Sequence, residues 1–118
     1  MPGIGLFSTA GDMLKFCQMY LNGGVSNGKR YLSEASIALM TKKETPANVK
    51  NSYGFGWAVN WDGSYDHGGS FNTSMRINPK LDLITIFLSQ CTTPMVKGAG
   101  KAKPAFEAAA KKLASAPR

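Results

Sequence analysis

The spacing of hydrophobic residues changes near residue 52, and this change restricts the chain to a mixed fold. Before that point, apolar side chains recur every three to four residues, which is typical of amphipathic helices. A Thr-x-x-Asp capping box at residues 9–12 predicts a helix over residues 10–22 that ends at an Asn-Gly-Gly segment. A second helix is predicted from Ser33 to about residue 41, after an Asn-Gly turn at residues 27–28.

Beyond residue 52, apolar and small residues alternate, which is the spacing of a strand. This alternation predicts strands over residues 53–60, 74–78 and 83–90, and a further strand carries His67. Residues 91–103 are predicted as a loop, and a proline in the first turn then opens a last helix over residues 103–115. In that helix Glu107 and Lys111 have the spacing of an ion pair. Helices, neighbouring antiparallel strands and a terminal helix together predict an α+β fold, with an antiparallel sheet of three to four strands packed with helices.

The length of 118 residues is enough for one hydrophobic core, so a single domain over residues 1–118 is expected. Its parts are a helical region over residues 1–50, a sheet over residues 51–90 and the tail helix over residues 103–115. No run of about 18 apolar residues occurs, so no membrane span is expected. The first residues do not have the pattern of a secretory signal. Cys17 and Cys91 leave a disulfide between them open.

The formal charge of +7 is concentrated in the tail, where residues 91–118 contribute +5. No nucleic-acid-binding motif accompanies these basic residues, so a solvated basic end is favoured and no nucleic-acid partner is expected. The chain has one histidine, which excludes a multi-histidine metal centre. Neither a metal nor an organic cofactor is expected.

The densest candidate site is the segment Asp-His-Gly-Gly-Ser at residues 66–70. His67 can donate or accept a proton near neutral pH. Gly68 and Gly69 leave the backbone bare, so a substrate can lie along the strand edge, and an N–H there can stabilise an oxyanion. A β-bulge with a structural histidine explains the same residues, and their spacing alone favours that explanation.

Several short motifs occur in one order along the chain. They are Gly-Leu-Phe-Ser-Thr-Ala-Gly-Asp-Met at 5–13, Asn-Gly-Gly at 22–24, Gly-Lys-Arg-Tyr-Leu-Ser at 28–33, Tyr-Gly-Phe-Gly-Trp at 53–57, His-Gly-Gly at 67–69 and Ile-Asn-Pro at 77–79. In this order they resemble the C-terminal part of the serine β-lactamase-related superfamily, which includes class C β-lactamases, penicillin-binding proteins, D-aminopeptidases and esterases. The resemblance implies a partial β-lactamase/transpeptidase-like fold and hydrolysis of a small acyl substrate through a serine acyl-enzyme. Such proteins are often periplasmic or secreted, and the localisation of this chain is left open.

In that superfamily a third motif, Lys-Thr-Gly or its His-x-Gly variant, lies on the edge strand that borders the site. Here it matches residues 67–69. The resemblance therefore implies a catalytic role for His67 and for the backbone N–H of Ser70, the latter as one half of an oxyanion hole. It also implies substrate binding by Gly68, Gly69, Tyr53 and Trp57. For Tyr53 and Trp57, core packing is the alternative.

The nucleophile motif of the superfamily, Ser-x-x-Lys, occurs at residues 26–29, where the Asn-Gly pair predicts a turn instead of a helix. Tyr-x-Asn occurs at residues 20–22, ahead of Ser-x-x-Lys instead of behind it. We interpret both matches as accidental, so the chain is expected to lack its nucleophile and to be inactive alone. The alternative is a non-catalytic binding or assembly module, a homo-oligomer that pairs through the exposed edge of the hydrophobic strand near residues 83–88.

Overall fold

The computed structural model describes residues 5–91 and 97–117. The helices are α1 (Ala10–Leu21), α2 (Glu34–Met40) and α3 (Ala99–Ala114). The strands are β1 (Val25–Ser26), β2 (Lys29–Arg30), β3 (Ala58–Val59), β4 (Tyr65–Gly69), β5 (Thr73–Asn78) and β6 (Leu83–Phe87). This arrangement confirms the predicted α+β class.

The first two helices begin where side-chain capping predicts. Thr9 Oγ1 accepts a hydrogen bond from the backbone N–H of Asp12 at 3.2 Å. Ser33 Oγ accepts one from the backbone N–H of Ser36 at 3.0 Å. Each bond satisfies an N–H group that the first turn of a helix leaves without a partner, so both starting points are confirmed.

The main sheet is antiparallel, with the strand order β3-β4-β5-β6, and β1 and β2 form a separate hairpin. Along β4 and β5, His67 lies opposite Met75 and Gly69 lies opposite Thr73. Helix α1 contacts β5 and β6, and α3 also contacts β6. Because side chains alternate between the faces of a strand, α1 covers the face of Ile77 while α3 covers the face of Arg76.

The core is an aromatic cluster between α1 and the sheet. Trp57 is 2% exposed and meets the rings of Tyr20 and Tyr65 edge to face, at centroid distances of 5.0 and 5.1 Å. Phe16 stacks on the same indole at 6.3 Å. Edge-to-face pairs of this kind add to the gain from burying the rings, so this cluster is the main link between helix and sheet.

Both cysteines are free thiols, so the disulfide that the sequence left open is not formed. Cys17 is fully buried in the core. Burial raises the pKa of its thiol to about 11. Cys17 therefore acts as a small buried hydrophobe, as interpreted from its position in α1.

The predicted strand over residues 53–60 is wrong for its first half. Gly56 has a φ of +81°, and the N–H of Gly54 donates to the carbonyl of Trp57 at 2.8 Å, which closes a tight turn. Strand pairing with β4 begins only at Ala58. A Cβ at Gly54 would overlap the carbonyl of Met40, so the chain passes too close to the end of α2 for any side chain. The alternation of aromatic residues and glycines arises from this turn. In sequence, the same alternation has the spacing of a strand.

Helix α3 begins at Ala99, four residues earlier than predicted, so the loop predicted there is wrong over residues 99–102. Pro104 lies inside the helix and not in its first turn. A proline in the second turn removes one backbone hydrogen bond, and the turn before it still forms, with Lys101 N–H donating to Gly98 O at 2.9 Å. Residues 92–96 of the predicted loop lie outside the described residues.

Ion pairs join α3 to the sheet in place of the predicted Glu107–Lys111 pair. Arg76 Nη1 lies 3.6 Å from Glu107 Oε2, and Arg76 Nη2 lies 2.9 Å from Asp66 Oδ2. Lys111 Nζ lies 3.1 Å from Asp62 Oδ2. Because Asp66 directly precedes His67, this network also holds β4 at the start of the candidate site.

Asp62 makes the attachment of α3 sensitive to acid. A hydrogen bond from the Ser64 hydroxyl at 2.6 Å, assisted by Lys111, lowers the pKa of the Asp62 carboxyl to about 2. Its value in the unfolded chain is near 3.8. The stabilisation is therefore complete above pH 4 and is lost as the pH falls through 2. We expect Asp62→Asn to remove about 2 kcal/mol of this pH-dependent stability.

Urea unfolding of the wild type and of Asp62→Asn at pH 7, 4, 3 and 2 checks this expectation. The control is Asp82→Asn, an exposed carboxylate in a left-handed conformation that asparagine also adopts. Equal loss of stability in wild type and Asp62→Asn between pH 4 and 2 would contradict it.

None of the helices in the described part of the chain is both long and apolar enough to cross a membrane.

Candidate functional site

The His-Gly-Gly motif lies at an open edge of the sheet. Strand β3 pairs with β4 only at Tyr65 and Asp66, so the remainder of β4 has no strand on that side among the described residues. His67, Gly68, Gly69 and Ser70 are all exposed. An extended ligand can therefore pair with the backbone here, as an added strand would.

The orientation of the peptide groups decides which backbone N–H and C=O groups this edge presents to a ligand. Gly69 O accepts the N–H of Asn72 at 3.1 Å, so it points towards β5. In a planar trans peptide the N–H lies opposite the carbonyl, so the N–H of Ser70 points away from β5. Backbone groups alternate in direction along a strand, so the N–H and C=O of Gly68 share that outward side. The edge therefore presents two donors, the N–H groups of Gly68 and Ser70, and one acceptor, the C=O of Gly68.

The hairpin between β4 and β5 requires a glycine at position 69. Gly69 and Thr73 are paired, and the three residues between them form a tight hairpin loop in which Asn72 has a φ of +61°. A Cβ at Gly69 would collide with Thr73 Oγ1. Glycine at this position lets the two strands approach closely and sets where the Ser70 N–H lies.

Tyr53 lies beside His67 in the structure. Their rings are 6.3 Å apart and nearly perpendicular, at 89°. The carbonyl of Tyr53 accepts the N–H of Glu44 at 2.7 Å, which anchors its backbone to the preceding loop. The edge contact restricts the orientation of the imidazole next to the open strand edge.

Trp57 lies elsewhere. Its side chain is in the aromatic core and is 2% exposed, so it presents almost no surface to a ligand. The structure thus brings together five of the six predicted site residues, namely His67, Gly68, Gly69, Ser70 and Tyr53, and places the sixth in the core.

An open groove of about 530 Å³ adjoins Ser70. It is lined by residues that include Leu6, Phe7, Gly69, Ser70 and Phe71. Leu6 is 97% exposed and Phe7 is 92% exposed, so the groove is wide and accessible. Its side chains carry no formal charge.

The Ser-x-x-Lys match at residues 26–29 and the Tyr-x-Asn match at residues 20–22 lie in a hairpin and in the core, and not in the arrangement of an active site. Ser26 and Lys29 face each other across the β1–β2 hairpin, whose turn residues Asn27 and Gly28 have φ values of 49° and 75°. The predicted turn is therefore confirmed. Tyr20 is buried, and its hydroxyl lies 3.5 Å from Met40 Sδ.

One residue near the site was not singled out from the sequence. Ser89 follows β6, and its hydroxyl donates to Phe71 O at 2.7 Å and to Asn72 O at 3.3 Å. A single serine after a strand carries no recognisable signal, because its partners are 17 and 18 residues away along the chain.

Within residues 5–91 and 97–117, no three His, Cys, Asp or Glu side chains are grouped so that they could hold a metal ion.

Comparison with known proteins identifies the family. The Beta-lactamase family model matches residues 1–110. Penicillin-binding protein 4 of Amycolatopsis lactamdurans is 35% identical over 69% of this chain and 24% of that protein. Protein Rv1367c of Mycobacterium tuberculosis (strain ATCC 25618 / H37Rv) is 30% identical over 75% of this chain and 28% of that protein. The chain thus spans about a quarter of the length of the curated relatives it matches.

A solved structure shows the same fold. It is a Bacillus anthracis protein assigned as a 6-aminohexanoate-dimer hydrolase, with a TM-score of 0.72 and 24% identity. The match covers 94% of this chain and 30% of that one. Together with the motifs and the open strand edge, the family match leads to one conclusion: the chain belongs to the Beta-lactamase family.

Proposed function

We propose that the chain is the C-terminal part of a β-lactamase-like serine hydrolase and supplies the strand-edge side of its active site. The observation that carries the proposal is the open edge of β4, where the Ser70 N–H points outwards near His67. The nucleophilic serine then comes from residues outside this chain.

In this proposal the substrate is a β-lactam, a D-amino-acid peptide or an ester. The serine oxygen attacks the acyl carbon, and the carbonyl oxygen becomes an oxyanion that accepts a hydrogen bond from Ser70 N–H. The bond from the acyl carbon to the amide nitrogen or ester oxygen then breaks, and that atom takes up the proton lost by the serine hydroxyl. Water then hydrolyses the acyl-enzyme to release the acid and restore the serine. His67 orients the substrate and takes part in proton transfer, while Gly68 and Gly69 keep the edge accessible.

Exposed aromatic surface supports a longer protein around this chain. Trp61 is 96% exposed and Phe55 is 55% exposed. An aromatic side chain that is left largely exposed gains stability when another part of a protein covers it. The chain spans about a quarter of the length of its curated relatives, which is consistent with a longer protein around it.

The test is hydrolysis of nitrocefin and of p-nitrophenyl esters. We expect no turnover by the 118-residue chain alone, and turnover by a longer protein that joins it to a Ser-x-x-Lys segment. Turnover by the chain alone that is abolished in Ser26→Ala would instead show a self-sufficient enzyme. Ser115→Ala, in the exposed turn after α3, is the matched control.

An assembly module is the second candidate, because β6 lies at the other edge of the described sheet. Its sequence, Leu-Ile-Thr-Ile-Phe, contains no charge and no proline, so little in its side chains opposes pairing with another chain. Light scattering over a range of concentrations tests this candidate. A strict monomer at high concentration would count against it.

A further inference from the structure

The geometry points to Ser89 as a positioning residue that sets the direction of the Ser70 N–H. This inference rests on the proposed function, in which that N–H binds the oxyanion. Ser89 also lines the groove beside Ser70, and in this scheme its hydroxyl bonds the loop carbonyls and not the substrate. It acts through the backbone of the hairpin loop between β4 and β5.

The hydroxyl of Ser89 holds two consecutive carbonyls of the loop. It donates to Phe71 O at 2.7 Å and more weakly to Asn72 O at 3.3 Å. The Sγ of Cys91 lies 3.7 Å from the Ser89 oxygen and can donate to it. The serine thus ties the end of β6 to the loop between β4 and β5.

A second hydrogen bond connects the loop to the peptide group of the Ser70 N–H. Gly69 O accepts the N–H of Asn72 at 3.1 Å. The carbonyl of Gly69 and the N–H of Ser70 belong to one rigid peptide group, so whatever holds Asn72 also holds the direction of the Ser70 N–H. Phe71 O, the closer of the two carbonyls that Ser89 binds, belongs to the same peptide group as the Asn72 N–H that bonds Gly69.

The support acts on a tight loop that contains a left-handed residue. Asn72 has a φ of +61°, a conformation that asparagine tolerates better than most other residues with a side chain. Without the hydroxyl, the carbonyls of Phe71 and Asn72 lose their bonds from Ser89, and the Gly69–Ser70 peptide is held less firmly. An oxyanion donor must be aligned before the reaction, so rotation reduces the rate of the chemical step more than it reduces substrate binding.

Two measurements test the inference. The first is amide hydrogen exchange by NMR on this chain, with Ser89→Ala, Ser89→Thr and the control Ser115→Ala. We expect faster exchange of the Asn72 N–H in Ser89→Ala, and exchange near the wild-type rate in Ser89→Thr, which keeps the hydroxyl. Unchanged exchange at Asn72 in Ser89→Ala would overturn the inference.

The second measurement is steady-state kinetics in the longer hydrolase that the proposed function requires. We expect kcat to fall about 10- to 100-fold in Ser89→Ala with little change in KM, and Ser89→Thr to restore it. Equal kcat in wild type and Ser89→Ala would overturn the positioning role while leaving the proposed function intact. Absence of turnover in the wild type would instead overturn the proposed function and the role of Ser89 in catalysis, whatever the exchange result.

Discussion

Substitution of Gly69 by alanine is expected to reduce turnover of the complete hydrolase about 10²- to 10³-fold. The new Cβ would collide with Thr73 Oγ1 on the neighbouring strand. Relief of that collision displaces the end of β4 and, with it, the N–H of Ser70. A loss of this size is what removal of one oxyanion-hole donor typically costs.

The double variant Gly69→Ala/Thr73→Ala provides a sharp control, because it removes the hydroxyl that the new methyl group meets. We expect it to recover most of the activity. Gly11→Ala, where a Cβ would have only an ordinary contact with Thr9 Oγ1 at 3.8 Å, is expected to leave kcat and KM unchanged. Wild-type kcat/KM in Gly69→Ala would show that this strand edge does not position the reacting groups.

Substitution of Trp57 by alanine is expected to cost about 3–5 kcal/mol of unfolding free energy. The indole is 2% exposed and contacts Phe16, Tyr20 and Tyr65, so its removal leaves a cavity between α1 and the sheet. The total stability of a domain is typically about 5–15 kcal/mol, so this single change threatens the fold.

Urea unfolding followed by circular dichroism measures the effect. Trp61→Ala is the matched control, because Trp61 is 96% exposed and its loss should change stability by less than about 0.5 kcal/mol. In the complete hydrolase, Trp57→Phe separates the core role from substrate binding, and we expect it to leave KM unchanged. A similar cost for both alanine variants would contradict the placement of Trp57 in the core.

Helix starts and the hairpin turn were predictable because their causes are local. Thr9 and Ser33 cap the N–H groups of residues three positions ahead, and Asn27-Gly28 adopts the positive φ values of a tight turn. The segment at residues 53–57 was not predictable in this way. Its conformation depends on the close approach of Gly54 to the end of α2, which no local pattern encodes.

The same distinction applies to the charges on α3. Glu107 and Lys111 have the spacing of an intrahelical pair, and this was the expectation from sequence. In the fold they contact Arg76 and Asp62, because the sheet places opposite charges against that face of the helix. Partners separated by 31 and 49 residues cannot be chosen from spacing alone.

The sequence by itself determined the α+β class, the helix caps and the ordered motifs, His-Gly-Gly among them, that resemble the family, because each depends on residues close together in the chain. Tertiary structure alone decided that β3 stops short of His67 and leaves the edge of β4 open. It also decided that Trp57 lies in the core and that Ser89 holds the loop beyond Gly69. These features arise from strand pairing and packing between distant segments, and the direction of a backbone N–H is set by such contacts.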